Sequence, residues 1–83
     1  MNYLQRFNEN KIYNPYDMMV GHTYKITEPV YDDYGEGLEP ETDLVEIIRI
    51  YKGGIFILKN IEHGFTYRRT VGHLKDCIIE TVE

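Results

Sequence analysis

Hydrophobic and polar positions alternate along most of the chain, and the alternation predicts strands. Leu44–Tyr51 reads Leu-Val-Glu-Ile-Ile-Arg-Ile-Tyr and is the strongest strand signal. Lys52-Gly53-Gly54-Ile55 follows, and the paired glycines predict a two-residue hairpin turn into a strand over Ile55–Asn60. In that register Ile50 faces Ile57 and Tyr51 faces Phe56. One face then carries Ile48, Ile50, Ile55 and Ile57, and the other carries Ile47, Tyr51, Phe56 and Leu58 around Arg49. Both faces are apolar, so both are expected to need cover. Ile61–Gly64 reads as a turn with Gly64 in a left-handed position, and Phe65–Thr70 as a strand. Val71–Lys75 reads as a short turn or 3₁₀ connection, and Asp76–Val82 as the last strand.

The first half of the chain is less regular. Tyr3, Leu4 and Phe7 have helical spacing within Met1–Asn10, a segment too short to be stable unless docked. Its expected place is over the face of Ile47, Tyr51, Phe56 and Leu58. Asn14-Pro15 is a helix N-cap followed by proline at the first helical position, with one turn expected over Tyr16–Val20 and a stop at Gly21. Thr23–Thr27 reads as the first strand, with Pro29 limiting its extension. Two prolines, two glycines and many acids make residues 28–43 read as one long loop, of a length that is often functional.

At 83 residues the chain is one domain (1–83), with a helical or irregular N-terminal segment (1–18) before a β-region (19–82). Ala, Ser and Trp are absent, a composition poor in good helix formers that also points to AT-rich coding DNA. A core this small gains from a partner, and a homodimer is one form of that. No apolar run approaches the ~20 residues of a membrane span, and no leader pattern opens the chain, so a cytoplasmic protein without membrane association is expected. The single cysteine, Cys77, excludes an internal disulfide and a cysteine-based zinc cluster.

The order of elements resembles an SH3-like barrel: a long loop after the first strand, three strands in meander, a one-turn connection and a final strand. Met19-Val20-Gly21-His22-Thr23-Tyr24-Lys25-Ile26 is similar to the opening of many such domains, and Val30-Tyr31-Asp32-Asp33-Tyr34 to the aromatic-acidic signature of true SH3 domains. The resemblance covers roughly residues 19–82. It implies a mainly β, five-stranded antiparallel SH3-like barrel with a short helical N-terminal segment. The chain lacks the tryptophan and the Pro-Asn-Tyr segment with which true SH3 domains grip proline-rich peptides, so the peptide groove is not carried over.

Charge adds the main functional signal. The formal net charge is −5, yet residues 28–46 alone carry −8, with no Lys or Arg among them, and the remainder carries +3. Such a bipolar molecule presents an acidic segment on a mildly basic body. A solvated loop that keeps the protein soluble is the plain reading. A docking surface for a basic partner is the sharper one, with Tyr31, Asp32, Asp33, Tyr34, Glu36, Glu39, Glu41 and Asp43 as the contact residues. In size, acidity and composition the chain also resembles small phage proteins that bind and disable a host enzyme, of the anti-restriction, anti-CRISPR and polymerase-binding types. That resemblance implies a non-catalytic inhibitor of a host nucleic-acid enzyme. The alternative is a small barrel that binds single-stranded nucleic acid through Tyr51, Lys52, Lys59, Tyr67, Arg68 and Arg69.

Catalytic and metal chemistry are not expected. Val20-Gly21-His22 recurs as Val71-Gly72-His73, but the spacing of His22 and His73 matches no ligand pattern, and both read as strand-entry turns. Cys77 beside His63 or His73 lacks the features of a catalytic pair and reads as a half-buried packing cysteine. Asp32–Asp43 does not follow the order of a calcium loop. No catalytic residue, cofactor or metal is therefore assigned.

Overall fold

A computed structural model describes residues 10–31, 34–35 and 37–82, with only the backbone of Tyr31. The fold is mainly β: one antiparallel, six-stranded open sheet with little helix. The strands are β1 (Lys11–Ile12), β2 (Thr23–Tyr31), β3 (Gly37–Tyr51), β4 (Ile55–Asn60), β5 (Thr66–Thr70) and β6 (Ile78–Thr81), ordered β1-β6-β2-β3-β4-β5. A 3₁₀ turn (Pro15–Asp17) and a helix α1 (Val71–Lys75) complete the described elements. This corrects the expected closed, five-stranded barrel. The extra strand is β1, whose two residues pair with Glu80 and Ile79, a length too short to leave a period-2 signature. The helix expected around Tyr3, Leu4 and Phe7 lies outside the described residues.

Local chemistry explains most of the elements. Asn14 caps the 3₁₀ turn by accepting a hydrogen bond from the Tyr16 amide at 3.0 Å, and Pro15 supplies the preset φ. The turn ends at Asp17, shorter than expected. Val71–Lys75 is α-helical, capped by the Thr70 hydroxyl accepting from the His73 amide at 3.2 Å. The second Val-Gly-His is thus helical, whereas the first does lead into a strand.

The largest correction concerns residues 28–43. Glu28–Tyr31 and Gly37–Asp43 are paired strands, with Glu28 opposite Glu41, Val30 opposite Leu38 and Tyr31 opposite Gly37. Pro29 does not stop β2, because the register shifts between Glu28 and Val30 and so accommodates the missing amide. The second correction is the register of β3 with β4. A bulge lies between Ile47 and Arg49, and Tyr51 pairs with Ile55, so the turn spans Lys52, Gly53 and Gly54. Both glycines have positive φ, +87° and +81°. Ile47, Ile50, Phe56 and Leu58 consequently share the core face, while Arg49 and Tyr51 join Ile55 and Ile57 on the other.

The core lies on the concave side of the sheet. It contains Tyr24 and Ile26 of β2, Val45 and Ile47 of β3, Phe56 and Leu58 of β4, Ile79 of β6, Leu74 of α1 and Met18. The Tyr16 ring lies 5.6 Å from that of Phe56, so the 3₁₀ turn covers part of the face that the expected N-terminal helix was to cover. The Met19 amide donates to the buried Tyr24 hydroxyl at 2.8 Å. Among the described residues no helix is long and apolar enough to cross a membrane.

Candidate functional site

The β2–β3 hairpin is the first candidate surface. β6 pairs with β2 only over Tyr24–Thr27, and β4 pairs with β3 only from Val45 onward. From Glu28 to Tyr31 and from Gly37 to Asp43, therefore, the two strands pair with each other alone. The hairpin is an arm extending past the sheet. Its paired portion includes a hydrogen bond of 2.9 Å between the hydroxyls of Thr27 and Thr42. Tyr34 is 92% exposed, and Glu39 and Glu41 are exposed. Asp43 is half-buried on the concave side. Asp32, Asp33 and Glu36, and the Tyr31 side chain, lie outside the described residues. Beside the arm runs a largely apolar groove of about 220 Å³, lined by Pro29, Val30, Leu38, Pro40 and Ile78 with Thr27 and Asp76 at its margin.

The expected basic face is divided by the sheet. Tyr51, Lys59 and Arg68 are on the outer side, where Arg68 pairs with Ile57 and the Arg49 guanidinium stacks 4.7 Å from the Tyr51 ring centre. Lys52 is in the turn. Tyr67 and Arg69 point to the concave side, because Tyr67 pairs with Leu58 and Arg69 with Phe56. Arg69 lies 4.6 Å over the Tyr67 ring. Arg49, which was not among the expected residues, joins Tyr51, Lys59 and Arg68 on the outer face. The bulge before it is the reason, and no sequence signal marked that bulge.

Arg69 is committed elsewhere. Its Nε donates to Glu28 Oε1 at 2.9 Å and its Nη2 to Oε2 at 3.5 Å, an ion pair joining β5 to β2 across the concave mouth. Among the described residues the other ion pair is His73 Nε2 to the same Glu28 oxygen, at 3.4 Å. Cys77 is close by, its thiol donating to the His73 carbonyl at 3.4 Å. Glu28, His73 and Cys77 place a ligand atom each within 4.8 Å of one another. His22 is not part of this group. The hydrogen bond from Arg69 to Glu28 holds the guanidinium pKa above its ordinary value. Burial, and then the Glu28 carboxylate, push the Cys77 thiol up to about 11. Burial also raises the Tyr67 phenol, with Glu28 and Asp43 adding to the effect. The half-buried packing role expected for Cys77 fits its place against the core.

No protein-family model, curated protein or solved structure matches the chain.

Proposed function

We propose that this protein is a non-catalytic binding module whose acidic β2–β3 arm occupies a basic, nucleic-acid-binding surface of another protein. The observation that carries this reading is the geometry of the charge. Eight carboxylates fall between Glu28 and Glu46, and among the described residues Glu28, Glu39, Glu41 and Asp43 lie on an arm whose strands pair only with each other. Among the described residues of that segment, Glu28 alone is ion-paired, while Glu39, Glu41, Asp43 and Glu46 are not. Acids spaced along paired strands favour electrostatic steering and register. Tyr31 and Tyr34 are the proposed anchors, and the groove at Pro29, Leu38 and Ile78 offers a seat for an apolar side chain. The resemblance to small phage inhibitors supports a host nuclease or polymerase as the partner. The order β6-β2-β3-β4-β5, with α1 before the last strand, supports reading the sheet as an open variant of the SH3-like barrel.

The test is charge reversal. The Asp32→Lys/Asp33→Lys/Glu36→Lys variant is expected to fold and to lose the protein captured by wild type from nuclease-treated bacterial lysate. Duplex DNA is expected to compete with wild type for that protein. Unchanged capture by the triple variant, or no competition by DNA, refutes the reading.

One observation favours a second reading. Among the described residues Arg49, Lys52, Lys59 and Arg68 make no ion pair, and Arg49 with Tyr51 offers a cation–aromatic platform on the outer face. Single-stranded nucleic acid suits such a surface. Binding of an oligonucleotide that falls steeply with salt and is lost in Arg49→Ala/Arg68→Ala supports it; insensitivity to those changes excludes it.

A further inference from the structure

The concave mouth holds chemistry that neither reading of the arm uses. His73 on α1 and Cys77 just past its C-terminal cap are four residues apart, so one helical turn brings their side chains to the same side. β2 supplies a carboxylate opposite them, from Glu28, whose side chain is only 17% exposed. Imidazole nitrogen, thiol sulfur and carboxylate oxygen thus converge from two separate elements, with the three ligand atoms within 4.8 Å of one another. We propose that Glu28, His73 and Cys77 form a zinc-binding site, with water as the fourth ligand.

The donor set selects the ion. Zinc accepts nitrogen, sulfur and oxygen together, whereas magnesium and calcium take oxygen almost alone. Bonds of ~2.0–2.3 Å in a tetrahedron place ligand atoms roughly 3.5 Å apart. The side chains must therefore draw in by about an ångström from their present span. His73 is free to do so, with a side chain 47% exposed. A groove of about 350 Å³ lined by Ile55, Arg68, Arg69, Thr70 and His73 adjoins the imidazole.

Arg69 is the competitor. It donates to Glu28 Oε1 at 2.9 Å and to Oε2 at 3.5 Å. The guanidinium reaches both carboxylate oxygens, so zinc gains Oε1 only as Arg69 Nε gives it up. Binding also displaces the thiol proton, which now points to the His73 carbonyl, and releases it to solvent.

The experiment uses the full chain under reducing conditions. Zinc is titrated in competition with a chromophoric chelator, and cobalt(II) is titrated as a spectroscopic substitute. The expected result is one ion per chain, a thiolate-to-cobalt charge-transfer band and a higher Tm with zinc. His73→Ala and Cys77→Ser are expected to abolish the band or weaken binding by more than about tenfold, and Arg69→Gln, which frees the Glu28 oxygen, to tighten it. Absence of the thiolate band overturns the proposal, as does zinc affinity equal to wild type in His73→Ala. The half-exposed His73 makes that variant decisive even where Cys77→Ser is poorly folded. Binding of the triple arm variant to cobalt is expected to match wild type, so the two proposals fail separately.

Discussion

Replacing Gly54 with alanine is expected to cost far more than the same change at Gly53, one residue away. Both have left-handed backbones, φ +81° and +87°, and for an L-residue that conformation alone costs ~1–2 kcal/mol. At Gly53 a new Cβ meets nothing within 4 Å. At Gly54 it meets Val71 Cγ1 at 2.6 Å and the Tyr16 hydroxyl at 2.9 Å. The Val71 Cβ, on a helix whose first amide donates to the Gly54 carbonyl at 2.7 Å, lies at 3.2 Å and cannot easily move away. Overpacking of this kind adds about 1–3 kcal/mol. Gly53→Ala should then lose about 1–2 kcal/mol, and Gly54→Ala about 2–5 kcal/mol. A domain of this length has only about 4–12 kcal/mol in total. Urea denaturation followed by circular dichroism measures both. With a slope near 1 kcal/mol/M, the two midpoints should differ by at least about 1 M. Val71→Ala in the Gly54→Ala background removes the nearest atom and should restore part of the loss, whereas in wild type it only destabilises. Equal losses at the two glycines would refute the argument that the β3–β4 turn is pressed against α1 and the 3₁₀ turn.

Leu74→Ala should destabilise the fold by ~2–5 kcal/mol in the same assay, because Leu74 is the fully buried contact of α1. Thr70→Ala should cost ~1 kcal/mol by leaving the His73 amide without its side-chain acceptor. Because the Cys77 thiol is pushed from 9.0 up to about 11 in the fold, the unfolded chain loses that proton first. The stabilisation is complete below pH 9 and is lost as the pH rises toward 11, so Tm in chelator should fall over that interval, and less so in Cys77→Val. A double-mutant cycle of Glu28→Gln and Arg69→Gln should give a coupling of about 1 kcal/mol that shrinks with added salt, and a coupling within about 0.3 kcal/mol of zero would show that the pair does not brace the mouth.

Much of the second half of the fold was legible because its strands carry period-2 patterns bounded by glycine. Ile55–Asn60 was read with its observed bounds, Thr66–Thr70 within a residue, and the left-handed Gly64 in place. The errors have distinct physical causes. Proline, glycine and acids depress strand propensity at 28–43, yet two chain segments joined by a short connection can pair whenever their ends are held by a sheet, as β2 and β3 are. The bulge at Ile48 cannot be seen in a run of three isoleucines and an arginine, since each alternation is apolar enough to face inward. One displaced residue then moved Tyr51 off the core face and brought Ile50 onto it.

The site was legible to a different degree. Charge segregation along 28–46 is a property of sequence alone, and strand pairing adds only the places of Glu39, Glu41 and Asp43 along the arm. The concave mouth is the opposite case. Glu28 read as one acid among eight, and Arg69 as one cation of a basic surface. The pairing of β2 with β3 and of β4 with β5 turns both inward, and each then meets the other across the core at a sequence separation of 41. The same inward turn brings Glu28 to His73 and Cys77, which local spacing had already placed one helical turn apart. Glu28 is therefore withdrawn from the arm's outward charge and shared between a brace for the open sheet and a set of metal-ligating atoms. The two uses compete for the same carboxylate oxygens, so zinc should bind at the expense of the Glu28–Arg69 bond, and a fold that is braced by one should be braced by the other.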